Sequence, residues 1–223
     1  MTQTPGTEPL ATAVATYWNA AAPAFDDEPD HGLRAAATRA AWAARLAGWL
    51  PAGPADVLDA GCGTGSLALL AAADGHRVTG VDCAAAMIDR ARAKFTAAGL
   101  PGTFLVGDAA APPTAHRAFD VVLVRHLLWT LPDPHAALRA WAERLRPGGR
   151  LVLVEGRWRQ SADPAPYVPG AGALPFAGGV GARTLAQAVE PLAATVRIER
   201  LDQEPALWGH PVQDERYALI AHL

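Results

Sequence analysis

The sequence is poor in the features that mark several large classes of protein. The 223 residues include two cysteines and a single lysine, only 18% are charged, and the formal net charge is −3. Two cysteines in a chain of this length do not make a disulfide scaffold, so we expect a cytoplasmic protein. Nucleic acid is not an expected partner, because its binding relies on a basic excess that neutralises phosphates.

Long apolar runs and targeting signals are missing as well. No stretch of about 18 uncharged apolar residues occurs, so we predict no membrane span. The first ten residues lack the basic and apolar regions of a secretory signal peptide. The seven histidines are scattered without the spacing of metal ligands, so no metal is expected. The sequence leaves open whether the chain is a monomer or a homodimer.

The pattern of apolar residues divides the chain into a helical beginning and an alternating body. Hydrophobic residues make up 51% of the chain, enough for the core of one α/β domain. Helical spacing predicts helices over 10–22 and 32–50, joined by an acidic loop in which Asp26 and Asp27 are expected to be solvated. From Asp56 onward strands and helices alternate, which predicts a mostly parallel sheet with helices on both faces.

The predicted helices and strands divide the single domain into four parts. Strands are predicted at 56–60, 77–82, 103–107, 119–124, 150–155, 195–201 and 215–221, and helices at 66–74, 84–98, 134–145 and 184–193. The last two strands have no long crossover helix between them and are expected to pair antiparallel. We therefore predict a helical cap (1–52), a cofactor-binding core (53–156), an irregular insert on the substrate side (157–181) and a C-terminal helix with strands (182–223).

A glycine-rich turn after the first predicted strand carries the main functional signal. Gly61, Gly63 and Gly65 give the spacing G-x-G-x-G, which differs from the G-x-G-x-x-G of dinucleotide-binding turns. Asp59 precedes them, and an acid at this place suits a ligand with a cationic amino group better than a phosphate. Because ligands of open α/β sheets bind beyond the carboxyl ends of the strands, we expect the site at this turn.

Two further strands end in acidic residues. Asp82 follows Val78–Val81, about 20 residues after the glycines, which is the spacing of a ribose-binding carboxylate. Asp108 follows the next strand and is placed to reach an adenine amino group. A helix-capping role for either residue is compatible with the same pattern.

These motifs together resemble those of a known family. The segments VLDAGCGTG, VTGVD, VGDA, FDVVLVRHLL and LRPGGRLVLVE occur in the order typical of class I S-adenosylmethionine-dependent methyltransferases. The resemblance covers about residues 54–156. It implies a Rossmann-like sheet of seven strands, the last one antiparallel, and S-adenosylmethionine as the cofactor.

The resemblance also implies roles for individual residues. The methionine portion of the cofactor would contact Asp59 and the turn Gly61, Cys62, Gly63 and Gly65. The ribose would be held by Asp82, the adenine face by Cys83 and Met87, and the adenine edge by Asp108 and Ala109. Arg125 and His126 would border the methyl group. A looser similarity of the segments YWNAAAPAFDDEPDHGL and RHLLWTLPDP to small bacterial methyltransferases places Tyr17 and the acidic loop near the cofactor or substrate.

The acceptor side is less defined by the sequence. His126 is the first candidate for a general base and His31 the second, although a structural role for either remains open. Trp129, Trp158 and Tyr167 are candidates for the wall of a substrate pocket. The Asn/Asp-Pro-Pro-aromatic motif of related enzymes that methylate amino groups is absent after the fourth strand. We therefore expect a small, largely apolar acceptor.

Three other functions are compatible with a fold of this kind. One is an NAD(P)-dependent oxidoreductase, against which the glycine spacing and Asp59 argue. Another is a protein that binds the cofactor without transferring a methyl group. The third is a transfer of an alkyl group other than methyl.

Overall fold

A mixed sheet forms the centre of the computed structural model, which describes residues 9–158 and 166–223. Its strands are β1 (Asp56–Ala60), β2 (Arg77–Asp82), β3 (Thr103–Val106), β4 (Phe119–Arg125), β5 (Leu145–Arg157), β6 (Thr195–Arg200) and β7 (Glu215–His222). Within the described residues the sheet has seven strands in the order β3-β2-β1-β4-β5-β7-β6. Strands β1 to β5 pair in parallel, whereas β7 is antiparallel to both β5 and β6. The predicted Rossmann-like class is therefore confirmed.

Helices surround this sheet, and they include the six predicted ones together with two short helices, Pro29–Gly32 and Pro205–Trp208, that were not predicted. They are α1 (Leu10–Ala21), α2 (Pro29–Gly32), α3 (Ala36–Trp49), α4 (Ser66–Ala73), α5 (Ala85–Ala98), α6 (Pro134–Arg144), α7 (Ala182–Val189) and α8 (Pro205–Trp208). Short 3-10 turns occur at Phe25–Asp27, Leu128–Thr130, Ala171–Ala173 and Glu190–Leu192. No helix in the described ranges is both long and apolar enough to cross a bilayer.

Both faces of the central strands β1, β4 and β5 are buried, as predicted for a parallel sheet with helices on both faces. In β4, Val121 and Leu123 point into the core layer that contains Trp42. The alternate residues Val122 and Val124 point into the opposite layer. This alternation follows from the two-residue period of a strand and leaves the strand ends as the place where a ligand can enter.

The beginning of the chain differs from the prediction in two ways. The acidic loop is folded, because it contains the 3-10 turn Phe25–Asp27 and helix α2. The helix predicted over 32–50 begins at Ala36, since Leu33 adopts a left-handed φ of 50° and ends α2. Gly32 makes this compact path possible, because a Cβ there would lie 2.1 Å from the carbonyl oxygen of Asp26.

Strand β5 starts earlier than the sequence predicted. Leu145 already pairs with Phe119, and the register shifts before Val121 pairs with Arg150. The predicted helix over 134–145 consequently ends at Arg144. The proline and glycines of 147–149 lie inside the irregular first part of this strand, at the end of the sheet away from the site.

The predicted insert contributes a wall beside α1. Residues 159–165 of it lie outside the described part of the chain. Val168, Ala171 and Leu174 pack with Leu10 and Val14 of α1 in a small apolar cluster. The insert and the cap are therefore in direct contact over the strand ends.

Candidate cofactor and acceptor site

A cavity of about 800 Å³ opens at the carboxyl ends of β1, β2 and β4 and is covered by the cap. The crevice outside the strand ends is the general ligand site of open α/β sheets. Most residues predicted for the site line it: His31, Asp59, Gly61, Cys62, Gly63, Asp82, Cys83, Met87, Asp108, Ala109, Arg125, His126, Trp129 and Trp158. Tyr17, Gly65 and Tyr167 are not among its lining residues.

Two glycines of the turn after β1 have different structural roles. Gly63 has a φ of 52°, which favours glycine, and its N–H donates to Oδ2 of Asp82 at 2.9 Å. Gly65 faces away from the cavity, and a Cβ there would lie 2.9 Å from the Cβ of Ala91. Gly65 therefore permits the close approach of α4 and α5, whereas Gly63 shapes the cavity surface.

Two buried carboxylates stand beside this turn. Asp59 is 3% exposed and Asp82 is 9% exposed. Burial, together with the charge of Asp82, raises the pKa of Asp59 to about 7. Burial also raises the pKa of Asp82, although the N–H groups of Ala84 and Gly63 stabilise its charged form at 2.9 Å each. A cationic ligand group would favour ionisation of both carboxylates.

The part of the cavity wall formed by Cys83, Met87 and Asp108 carries fewer charges than the part beside the glycine turn. Met87 packs with Ala84 and Trp18 in a small apolar cluster. Burial raises the pKa of Cys83 to about 12, which keeps this thiol protonated and unsuited to act as a nucleophile. The exposed Asp108 accepts the N–H of Ala110 at 2.8 Å. This surface is mostly apolar with one acid at its rim.

Arg125 at the end of β4 is held by the cap. Its Nη1 donates to the carbonyl oxygen of Asp30 at 2.7 Å, and its Nη2 donates to Oδ2 of the same residue at 2.5 Å. The guanidinium lies 4.5 Å from the centre of the Trp42 ring. The pair of Arg125 and Asp30 therefore fixes α2 against β4 at the cavity wall.

His126 stands at the acceptor side in an uncommon backbone conformation. Its φ is 54°, and its ring packs edge-on against Trp158 at 4.4 Å and parallel to Trp208 at 6.1 Å. Burial lowers the pKa of His126 well below its ordinary value, and the charge of Arg125 acts in the same direction. Its Nε2 is buried without a hydrogen-bond partner among the described residues. A neutral imidazole in this state is able to accept a proton from a ligand.

His31 lies close to His126 although the two are far apart in sequence. Its ring stacks on Phe25 at 4.3 Å, and burial lowers its pKa. Donor atoms of Asp30, His31 and His126 lie within 4.8 Å of one another. The fold thus gathers histidines that looked scattered in the sequence. The charge of Arg125, which already occupies one oxygen of Asp30, opposes a metal cation at this place.

The remaining aromatic candidates form a cluster between the insert and the cap. The ring of Tyr167 lies 4.8 Å from Trp129, 5.1 Å from Tyr17 and 6.0 Å from Trp18. Trp18 and Trp129 line the cavity, while Tyr17 is 39% exposed and packs against Trp18 and Tyr167 from outside. Tyr17 and Tyr167 are therefore wall-supporting residues in this structure rather than lining residues.

Sequence reasoning missed several residues and misplaced one. Asp26 is not solvated: it is 7% exposed and accepts hydrogen bonds from Thr64 and Lys94. Asp27 is exposed and pairs with Arg34, as expected for a loop residue. The missed cavity residues include Trp18, Phe25, Asp30, His210 and Arg216. Phe25 and Asp30 belong to the acidic loop, which the looser similarity had placed near the cofactor or substrate without naming these two residues. Trp18, His210 and Arg216 had no predicted role.

Comparison with known proteins gives a family match for the central part of the chain. Residues 57–149 match the family described as methyltransferase domain. The match covers less than half of the chain. The glycine turn, Asp82 and the segment up to Gly149 all lie inside the matched range.

Several proteins with curated names are similar to part of this chain. A demethylmenaquinone methyltransferase from Thermus thermophilus is 41% identical over 104 residues, which are 46% of this chain and 47% of that protein. An S-adenosyl-L-methionine-dependent Diels-Alderase, iccD from Talaromyces variabilis, is 36% identical over 129 residues, 53% of this chain and 42% of that protein. The chain thus spans about half the length of the curated relatives that it matches. The crystal structure of the (4+2)-cyclase SpnF has a TM-score of 0.73 and 20% identity over 96% of this chain and 97% of that one.

The residues of this site fit S-adenosylmethionine as the cofactor. The ligand carries a cationic amino group and sulfonium, and the turn beside Gly63 has two buried carboxylates at hand. Asp82 has further acceptor capacity for ribose hydroxyls beyond its two backbone N–H partners. The apolar surface at Met87 suits the face of an adenine ring.

Proposed function

We propose that the protein is an S-adenosylmethionine-dependent methyltransferase that acts on a small, largely apolar acceptor. One observation carries this proposal: a single cavity joins buried carboxylates at Asp59 and Asp82 to a neutral histidine, His126, with a free nitrogen. The names of the relatives support it, since one methylates demethylmenaquinone and another carries the name 27-O-demethylrifamycin SV methyltransferase.

The two ends of the cavity have separate tasks in this proposal. When bound, the cofactor supplies an electrophilic methyl group. Asp59, Gly61, Cys62 and Gly63 would hold its methionine portion, and Asp82 the ribose. Cys83, Met87, Asp108 and Ala109 would hold the adenine. The cap and Trp129 border the space between the two ends and would limit the access of water to it, which would help the alignment of the reacting groups.

The acceptor side favours a substrate with an acidic hydroxyl group. His126 would take the hydroxyl proton on Nε2, with His31 as the second candidate. Because its pKa is lowered, His126 is a weak base and matches a phenol or enol better than an alkyl alcohol. The charges of Arg125 and Arg216, which lower that pKa, also stabilise an oxyanion beside it. Trp129 and Trp158 offer flat apolar surfaces for the rest of the molecule.

A product assay tests this function directly. The protein is incubated with S-adenosylmethionine carrying a labelled methyl group and with matched panels of phenols, enols and alkyl alcohols. We expect labelled methyl ethers from phenols or enols, with one S-adenosylhomocysteine formed for each product. Binding of the cofactor without label transfer to any member of the panels would contradict methyl transfer to this acceptor class.

A second candidate is cyclisation with a bound but unreacted cofactor. It is favoured by the likeness to SpnF, which extends over the cap and the C-terminal strands, and by the relative named as a Diels-Alderase. In that case a polyene substrate would be converted without formation of S-adenosylhomocysteine. The same assay, run with both kinds of substrate, separates the two functions.

We also propose a cytoplasmic bacterial protein, monomeric or homodimeric, without nucleic acid or membrane partners. Its two cysteines are both free, and its net charge is −3. Light scattering of the purified protein and fractionation of the native cells test these points.

A further inference from the structure

The only lysine of the chain lies outside the cavity but contacts two of the segments that form it. Lys94 on α5 donates from Nζ to Asp26 at 2.9 Å, to Oγ1 of Thr64 at 2.8 Å and to Oγ of Ser66 at 2.8 Å. Thr64 in turn donates to Oδ1 of Asp26 at 2.6 Å. All three donor positions of the ammonium group are thus used within a network that joins the cap, the glycine turn and α5.

Asp26 belongs to the segment 25–32, which forms part of the cavity wall. The neighbouring Phe25 faces the glycine turn, since a Cβ on Gly63 would lie 3.4 Å from its ring, and it also stacks on His31. Gly32 packs directly against the backbone of Asp26. The segment 25–32 is therefore one compact unit, and a bond that holds Asp26 also holds Asp30 and His31 in place.

The ion pair between Lys94 and Asp26 is mostly buried, so each of the two charges depends on the other. The Lys94 side chain is 23% exposed and that of Asp26 is 8% exposed. Burial lowers the pKa of Lys94, and its bond to Asp26 opposes this shift. Removal of one member leaves the other as a poorly solvated charge, which costs more than the loss of a surface ion pair.

We propose that Lys94 is a positioning residue that docks the segment 25–32 onto the glycine turn, so that cofactor affinity depends on a side chain outside the cavity. Lys94 acts through Asp26 and Thr64 and does not line the cavity itself. This inference rests on the proposed function, because it assumes that an S-adenosyl ligand occupies the space beneath Phe25 and His31.

The test compares Lys94→Met with Arg90→Met, which removes a cation one turn away on the same helix. S-adenosylhomocysteine affinity is measured by calorimetry, and backbone hydrogen exchange is followed at His31, Gly32 and Leu33. For Lys94→Met we expect about tenfold weaker binding and about tenfold faster exchange at these amides, with β4 unchanged. Arg90→Met should behave as wild type. Binding within twofold of wild type, with unchanged exchange at 31–33, would overturn the proposal.

A double-mutant cycle covers the case in which Lys94→Met disturbs the fold more widely. Asp26→Asn keeps the size of the side chain and removes its charge. If the two residues act as one unit, the double variant binds S-adenosylhomocysteine about as well as the weaker single variant. Losses that multiply would show independent roles and contradict the proposal. If the wild type fails to bind the ligand at all, the proposed function fails, whereas the exchange measurement still tests the docking by Lys94.

Discussion

Asp59 illustrates how the fold sets the chemistry of a single carboxylate. Its pKa rises from an ordinary value of 3.8 to about 7 because burial and Asp82 both disfavour its charge. The folded state therefore holds this proton more tightly than the unfolded state does. The stability that comes from this group is fully present below about pH 4 and is lost as the pH rises to about 7.

This linkage predicts opposite effects of Asp59→Asn on stability and on binding. At pH 8 the variant no longer has to bury a charge, so Tm in the absence of ligand should rise by about 3 °C or more. Affinity for S-adenosylhomocysteine should fall, because the partner of its ammonium group is gone. Exposed Asp89→Asn is the control. A lower Tm at pH 8, or unchanged affinity, would show that Asp59 does not have this role.

His126 leads to a prediction about rate and pH. Asparagine is the better replacement, because it tolerates the left-handed φ of 54° at this position. With a phenolic acceptor, His126→Asn should lower kcat by about a hundredfold and leave S-adenosylhomocysteine affinity within twofold. Since the pKa of His126 is lowered, wild-type kcat should stay constant as the pH falls through 6.5 and decline only below that. The exposed His116→Asn is the control, and equal losses of kcat and affinity would indicate a structural histidine.

Individual site residues were predictable where they follow parallel strands. Asp59 and Asp82 lie at the carboxyl ends of β1 and β2, and Asp108 lies two residues after β3. The carboxyl ends of neighbouring parallel strands meet at one edge of the sheet. Asp26 was not predictable, because its burial depends on Lys94, which is 68 residues away. Asp30 likewise depends on Arg125, 95 residues away. Such pairs leave no periodic signal in one sequence.

At the scale of elements, local chemistry predicted the strands better than the cap. Strand β2 has the predicted bounds, because its apolar run ends in an acidic residue at the carboxyl end of the strand. The cap differs because Leu33 interrupts the helix with a left-handed conformation that only tertiary contacts explain. Strand β5 begins early since the residues after α6 pair with Phe119 across a register shift.

The cap provides a prediction with a matched control. Gly32→Ala would place a Cβ 2.1 Å from the carbonyl oxygen of Asp26, so α2 cannot keep its position. We expect a lower Tm and weaker S-adenosylhomocysteine binding. Gly48→Ala lies in α3 with no atom within 4 Å of the new Cβ and should stabilise the protein by about 0.5–1 kcal/mol. Thermal unfolding and calorimetry of both variants provide the measurement, and equal behaviour would contradict the compact cap.

For the whole molecule, composition and the alternation of strands and helices along the chain predicted the architecture. The residues that form the acceptor site became evident only from the three-dimensional structure. Alternation of strands and helices is enough to predict a parallel sheet, because a parallel connection needs a crossover. The acceptor end instead combines the cap, β4, the insert and β7, which supply His31, His126, Trp158 and Arg216. No motif spans these four segments, so only its histidines and Trp158 were found.

The same arrangement predicts that metal removal has no effect. Asp30, His31 and His126 come together, but Arg125 is bonded to the carboxylate and repels a cation. Dialysis against a chelator should leave methyl transfer within twofold, and added Mg²⁺ or Zn²⁺ should not increase it. Loss of activity that a divalent metal restores would require Arg125 to move away and would assign a metal to this group.

The central claim is that the cavity binds an S-adenosyl ligand, and calorimetric titration tests it most directly. S-adenosylmethionine, S-adenosylhomocysteine and NAD are titrated in parallel at pH 7 in two buffers of different ionisation enthalpy. We predict micromolar binding of the two adenosyl ligands, no binding of NAD, and proton release as the ammonium group ionises Asp59. Binding of NAD alone, or of none of the three, would contradict the account.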